Sequence, residues 1–394
     1  MQCLYHNSLF GQIIIYGVMN MALKPITVKE LAQKILANES VFLLDIRKNE
    51  DYNDWSIQGR NVHSMNIPFK HLENETEELK QQLPENQTIY VVCAKGISSQ
   101  RGVEILEEAR VMNITYLEGG MEAWSEHLEP MKIGELSNSG VLYQFLRIGK
   151  GCLSYMIISN GEAAVIDPVR MTDTYTNFAE ENNAAIRTVL DTHLHADHIS
   201  GGKTLADESN AVYYFPPKDD EGLNFNYHNL EDGITITVGG SVKLTAFYSP
   251  GHTIGSTSLI VDRQYLMTGD ILFINSIGRP DLAGKADAWV DDLRQTLYAR
   301  YTDLSKNLIV LPAHFGQMDE INDNGTVQER LETIYQKNDR LQVSDEAEFR
   351  HLVMDNLPPQ PNSHEEIRQT NMGQKNPGKD KRREMEVGPN RCAI

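Results

Sequence analysis

Six consecutive positions constrain this chain more than any other part of it: His193-Leu194-His195-Ala196-Asp197-His198. Three imidazoles and a carboxylate stand just after an apolar run, Thr188-Val189-Leu190, that reads as a strand. Alternation sends His193 and His195 to the same side of the chain, and Asp197 and His198 turn into the same cavity as a helix starts. A purely structural role would need three histidines at one loop with nothing to ligate. The spacing instead predicts a metal site at a strand end.

Three further junctions add ligand types. Pro250-Gly251-His252-Thr253, Thr268-Gly269-Asp270 and Pro312-Ala313-His314 each end an apolar run, and the glycines let the backbone bend closely around an ion. Ligand count leaves two chemistries open. Two histidines and one carboxylate on a single ion with open positions suit Fe(II) and oxygen. All seven residues together (His193, His195, Asp197, His198, His252, Asp270 and His314) suit two zinc ions whose bridging hydroxide attacks a carbonyl.

A second site centres on Cys93. It ends the apolar run Thr88–Cys93, and Ala94-Lys95-Gly96-Ile97-Ser98-Ser99 then leads into a helix. Backbone N–H groups and the positive helix end converge on a thiol placed there, which favours an anionic sulfur or a persulfide.

The surroundings of both sites follow from periodicity. A capping box, Thr27-x-x-Glu30, opens a short helix, and strands (Val41–Asp45, Thr88–Cys93) alternate with helices (Glu75–Leu83, Ser98–Arg110) up to Trp124. That order predicts a small α/β unit with a mostly parallel sheet. Residues 129–140 turn polar and read as a linker or seam. Beyond them, many short apolar runs with helices between predict a two-sheet sandwich with helices outside. The expected division is an extension without a fold of its own over 1–20, an α/β domain over 21–130, the metal-binding domain over 131–357 and an irregular tail over 358–394, rich in Pro, Asn and charge.

Composition removes several function classes. The 394 residues carry 36 Lys+Arg against 55 Asp+Glu, a net charge of −19 spread along the chain, which repels phosphate backbones and argues against nucleic acid. The apolar stretch Ile13–Met19 is too short to span a bilayer, so no membrane role is expected. Four scattered cysteines suggest a reducing cytosol rather than a disulfide framework. A small-molecule substrate remains, with a homo-oligomer left open.

Leu44-Asp45-Ile46-Arg47, Ile67-Pro68, Cys93-x-x-Gly96-x-x-Ser99 and Gly119-Gly120-x-x-x-Trp124 together resemble a rhodanese (sulfurtransferase) domain over about residues 22–130. The resemblance implies that Cys93 carries sulfane sulfur as a persulfide. The histidine cluster and its partner junctions resemble the metallo-β-lactamase superfamily over about residues 141–340, which implies an αββα sandwich after the rhodanese-like domain. Within that superfamily, the stretch Thr268-Gly269-Asp270 to Gly278-Arg279-Pro280-Asp281-Leu282 is similar to a signature of persulfide dioxygenases, and Ala163–Pro168, Asn356-Leu357-Pro358 and Pro389–Cys392 resemble that family too.

What this second resemblance implies is one Fe(II) per chain held by His193, His252 and Asp270. His195, Asp197, His198 and His314 then hold the cavity and its waters, and Arg279 orients the substrate. The implied reaction uses O2 and a low-molecular-weight thiol persulfide and yields sulfite and thiol. Two alternatives stay open: a dinuclear zinc thioester hydrolase resembling glyoxalase II, and a non-enzymatic persulfide sensor or sulfur carrier.

Overall fold

The computed structural model describes residues 24–136, 139–281, 286–390 and 392. The expected extension over 1–20, Leu282 and Arg391 lie outside the described residues.

The N-terminal unit starts as its capping box requires: Thr27 Oγ1 accepts from the Glu30 amide at 3.2 Å, and Glu30 Oε2 accepts from the Thr27 amide at 2.9 Å. The helix it opens, Val28–Leu36, buries Leu31 and Ile35. Four parallel strands form the sheet in the order Val62–Asn66, Val41–Asp45, Ile89–Val92, Ile114–Tyr116. Parallel pairing needs a crossover after each strand, and the helices between them supply it. The Ile89–Val92 strand delivers Cys93 directly to the N-terminus of the 12-residue helix Ile97–Glu108.

Two larger sheets follow. One has seven strands, ordered His228–Asn229, Val212–Phe215, Ala185–Leu190, Glu162–Ile166, Cys152–Ser159, Val141–Arg147, Glu129–Glu135. The other has six, ordered Thr235–Val238, Val242–Tyr248, Thr257–Val261, Tyr265–Gly269, Ile309–Pro312, Glu329–Arg330. Buried aliphatic side chains from both, among them Ile157, Ile166, Leu244, Leu259 and Met267, share one core. Helices Thr172–Glu181 and Gly202–Ser209 cover the first sheet, and Ala286–Gln295, Leu331–Lys337 and Glu346–Asp355 cover the second. This is the expected sandwich, and its layers place the ends of Ala185–Leu190, Val242–Tyr248, Tyr265–Gly269 and Ile309–Pro312 beside one another. Among the described residues no helix is long and apolar enough to cross a membrane.

Two expectations need correction. The polar stretch read as a linker is largely a strand: Glu129–Glu135 pairs antiparallel with Val141–Arg147, from Glu129↔Leu146 to Glu135↔Val141. It is an edge strand with one wetted face, so its composition resembles a loop although its backbone is in the ladder. The tail is not irregular either. It forms helices His364–Asn371 and Lys379–Met385, whose Ile367 and Met385 pack on Ile199, directly after the histidine cluster. Its charges are spent on partners rather than on solvent: Glu386 is buried and accepts from Arg147, Arg170 and the Ile199 amide at 2.9, 2.7 and 2.7 Å.

Candidate metal centre and thiol site

Each candidate ligand sits in the first residues after a strand, and all seven are buried to 2% exposure or less. His193 is turned by Thr192. The Thr192 amide and hydroxyl both donate to Asp167, at 2.6 and 2.9 Å, and its Oγ1 lies 3.0 Å from His193 Nδ1. His252 Nδ1 donates to the Arg279 carbonyl at 2.7 Å. Both rings therefore present Nε2 inward, where Asp270 Oδ2 stands 3.7 Å from His193 and 3.4 Å from His252. Gly269, at φ +52°, makes this approach feasible: a Cβ there would lie 2.8 Å from Thr192 Oγ1.

The protonation states suit a cation. Burial, reinforced by the neighbouring His195 charge, pushes His193 well below the ordinary histidine range, and burial lowers His252 as well. Burial opposes the charge on Asp270, but His314, His193 and His252 outweigh it and hold the carboxyl below its usual range. Two neutral imidazoles and one carboxylate are what a divalent ion requires. His193 Nε2 and both Asp270 oxygens, moreover, are buried with no hydrogen-bond partner. Unpartnered buried ligand atoms on His193 and Asp270, with His252 Nε2 3.4 Å from Asp270, fit a bound ion.

His195 is positioned differently. Its Nε2 lies 3.4 Å from Asp167 Oδ1 and 3.7 Å from Asp191 Oδ1, and these carboxylates overcome burial to hold the ring well above its ordinary pKa. It groups with Asp197 and His198 rather than with His193, His252 and Asp270. Asp197 lies 3.0 Å from His198 Nδ1 and 3.5 Å from His314 Nε2, and His314 Nε2 is 3.2 Å from Asp270 Oδ1. Burial opposes charge on His198, yet Asp197 raises it to about 9.

Arg279, expected to orient the substrate, has its guanidinium engaged by the protein itself. Its guanidinium is fully buried, bonded to Asp281 at 2.6 and 2.8 Å and to the carbonyls of Pro359 and Pro358 at 3.0 and 2.8 Å. Those bonds hold the start of the tail, while the Arg279 carbonyl aims His252. Pro358 and Pro359 lie 79 and 80 residues downstream, which no local motif reveals.

Sequence reading also missed several supports. Asp219 ties the two histidine loops together, accepting from the Leu194 amide at 3.0 Å, Thr253 Oγ1 at 2.6 Å and the Gly255 amide at 2.7 Å. Asn371 donates to the carbonyls of both His195 and His198 at 2.9 Å. Asn390 lies against His314 Nδ1. A lone Asp or Asn in a polar segment carries no signal of such a role.

At the thiol site, Cys93 Sγ accepts from the Gly96 and Ser99 amides at 3.1 and 3.3 Å, and Ser99 Oγ lies 3.4 Å away. This is the expected cradle of N–H groups. Gly120, at φ +57°, packs behind it so tightly that a Cβ would fall 2.2 Å from the Cys93 carbonyl. A cavity of about 520 Å³ opens beside the loop between Arg47, Trp55, Lys95, Glu122 and the tail residue Arg383. Arg383 pairs with Glu122 and Glu126, both at 2.6 Å, and Trp55 Nε1 donates to the Gly149 carbonyl at 2.8 Å. The first domain and the tail thus line this cavity, and Trp55 links its wall to the metal-binding domain.

Residues 27–127 match the rhodanese-like domain family, and residues 147–314 match the metallo-beta-lactamase superfamily. A hydroxyacylglutathione hydrolase of Legionella pneumophila strain Paris is 32% identical over 138 residues, which is 35% of this chain and 51% of that enzyme. The solved metallo-beta-lactamase from Staphylococcus aureus subsp. aureus COL is similar at 27% identity and TM-score 0.56, over 61% of this chain and 74% of that one. ETHE1 from Myxococcus xanthus shares the fold, with TM-score 0.51 and 22% identity over 59% of this chain and 99% of its own.

Proposed function

We propose that this chain, a rhodanese-like domain joined to a metallo-β-lactamase domain, oxidises low-molecular-weight thiol persulfides to sulfite and thiol with O2, at one Fe(II) held by His193, His252 and Asp270. The observation that carries this reading is that His193, His252 and Asp270 converge within 4.8 Å, whereas His195 Nε2 lies 3.4 and 3.7 Å from Asp167 and Asp191. Two histidines and one carboxylate remain, the set that leaves positions open for oxygen and substrate. When bound, the iron supplies the electron transfer between persulfide sulfur and oxygen that no side chain supplies.

The protein's share is placement and exclusion. Thr192 and the Arg279 carbonyl fix the tautomers of His193 and His252, with each Nδ1 occupied and each Nε2 directed toward Asp270. Burial of every ligand keeps bulk water from the site. One persulfide, one O2 and one water balance to one thiol, one sulfite and two protons. Cys93, in its cradle of amides, holds sulfane sulfur for the same substrate pool. Joining the two sites in one chain raises the local concentration of the shared substrate. The buried free cysteines agree with a reducing, cytoplasmic setting.

Metal content and oxygen uptake test this together. Anaerobically purified protein should carry about one iron per chain and consume O2 with an organic persulfide, forming sulfite. Cys93→Ser should abolish sulfur transfer and leave uptake with free persulfide within about twofold, since Cys93 lies in the other domain. Zinc without iron, no uptake, and hydrolysis of a glutathione thioester would replace this reading by a thioester hydrolase. The similarity to hydroxyacylglutathione hydrolase makes that the second reading.

A further inference from the structure

The cavity of about 520 Å³ beside the Cys93 loop takes part of its wall from the far end of the chain. Ala94 and Lys95, which follow the thiol directly, line one part of it, and Asp380, Glu384 and Val387 of the tail line another. One helix fixes both. In Gly120–Glu126 the Met121 and Glu122 amides donate to the Cys93 and Ala94 carbonyls at 2.9 Å, and Glu122 and Glu126 accept from the tail's Arg383 at 2.6 Å.

Size and charge restrict what can enter. Cavities of about 300–1,000 Å³ suit organic molecules, and Trp55, Met121 and Val387 offer apolar surface to a carbon chain. Five carboxylates line the cavity against three cations. Two of those cations are already paired, Arg47 with Asp45 at 2.7 Å and Arg383 with Glu122 and Glu126. Lys95, 72% exposed, lies 3.6 Å from Glu122. Asp51, Asp380 and Glu384 are exposed. Such a surface repels a small dianion such as thiosulfate and attracts a cationic group.

We propose that this cavity receives the acceptor of the Cys93 sulfane sulfur, an organic thiol bearing an ammonium group, and that the tail carboxylates Asp380 and Glu384 help to select it. The inference rests on the reading of Cys93 as a sulfur carrier and names the acceptor class. The acceptor thiolate attacks the outer sulfur of the Cys93 persulfide and forms a new S–S bond. The bond to Cys93 Sγ breaks, and its electron pair stays on Sγ as a thiolate facing the Gly96 and Ser99 amides. The proton given up by the acceptor thiol balances the one that this thiolate takes up, and no oxidant or reductant is consumed. The product is an organic persulfide, the substrate of the oxygen chemistry above.

Full-length protein loaded anaerobically with inorganic polysulfide provides the test. Peptide mass mapping should place one added sulfur atom on Cys93; without it the sulfur-carrier reading fails, and the proposal falls with it. Discharge is then followed with cysteamine and glutathione, each against its N-acetylated form. Rates are taken at equal thiolate concentration and divided by each thiol's rate toward free cysteine persulfide. An ammonium-bearing thiol should discharge Cys93 about fivefold faster than its N-acetylated form, since exposed charge pairs contribute up to about fivefold each. The pair with the larger ratio distinguishes a small aminothiol from a peptide. Asp380→Lys/Glu384→Lys alters two exposed side chains and should bring the ratio to about one or below. Glu365→Lys, on the tail helix His364–Asn371 and outside the cavity wall, should keep it. Equal rates within both pairs, a preference that survives the double substitution, or one that Glu365→Lys also removes would each overturn the proposal.

Discussion

His252→Ala should release the iron and abolish oxygen uptake, while sulfur transfer at Cys93 continues. His252 is buried, and its Nε2 faces Asp270 Oδ2 at 3.4 Å. Loss of a hydrogen-bond partner behind a ligand already costs about 10–100-fold in metal affinity. Loss of the ligand itself should therefore cost at least about 100-fold. The informative comparison is His195→Gln, which keeps a donor toward Asp167 and Asp191. It should retain most of the iron. If instead it strips the ion as completely as His252→Ala, His195 is a ligand and the three-histidine arrangement of a dinuclear hydrolase is correct. Metal analysis of the three proteins side by side decides this before any activity is measured.

The largest stability effect is expected at Glu386. Its carboxylate is buried between Arg147 and Arg170 and accepts from the Ile199 amide. Burial resists its ionisation, but Arg147 and Arg170 dominate and pull the pKa down to about 2. A depressed carboxyl stabilises the fold above its unfolded pKa of about 4.3, and that stability is lost as pH falls toward 2. The difference corresponds to about 3 kcal/mol at neutral pH. Glu386→Ala, which leaves Arg147 charged and buried without its partner, should cost about 3–5 kcal/mol. Glu386→Gln should show the same pH trend in smaller measure. Denaturant midpoints across pH 3–8 should show the gap between mutant and parent narrowing to about half at the acid end; a gap independent of pH would show that packing, not charge, holds the tail.

What could be read from sequence divides by distance along the chain. The histidine cluster, the cradle around Cys93 and the capping box at Thr27 are local patterns, and their geometry follows from strand and helix periods acting over a few residues. The sandwich was legible because each buried strand had to be an apolar run. The surroundings of Arg279 were only partly legible, because Pro358 and Pro359 engage its fork as well as nearby Asp281. The tail was misread for a related reason. Lys379–Met385 is highly charged, and only the folded positions of Glu122, Glu126, Arg147 and Arg170 show that those charges and the adjacent Glu386 have partners. His195 is the finest case: its spacing matches that of a ligand, and Asp167 and Asp191, brought in from 28 and four positions upstream, draw its Nε2 elsewhere.

The tail also bears on how the centre acquires its ion during synthesis. The final ligand-type residue, His314, is made roughly 70 residues before Glu386 docks the tail behind Ile199. At about 5–20 residues per second, the ribosome needs roughly 4–14 s to make that stretch. For those seconds the donors exist without the segment that later packs over the loop carrying them. If the docked tail limits access, protein made while the metal is scarce should stay slow to load when it is restored, whereas protein made in its presence should resist chelators.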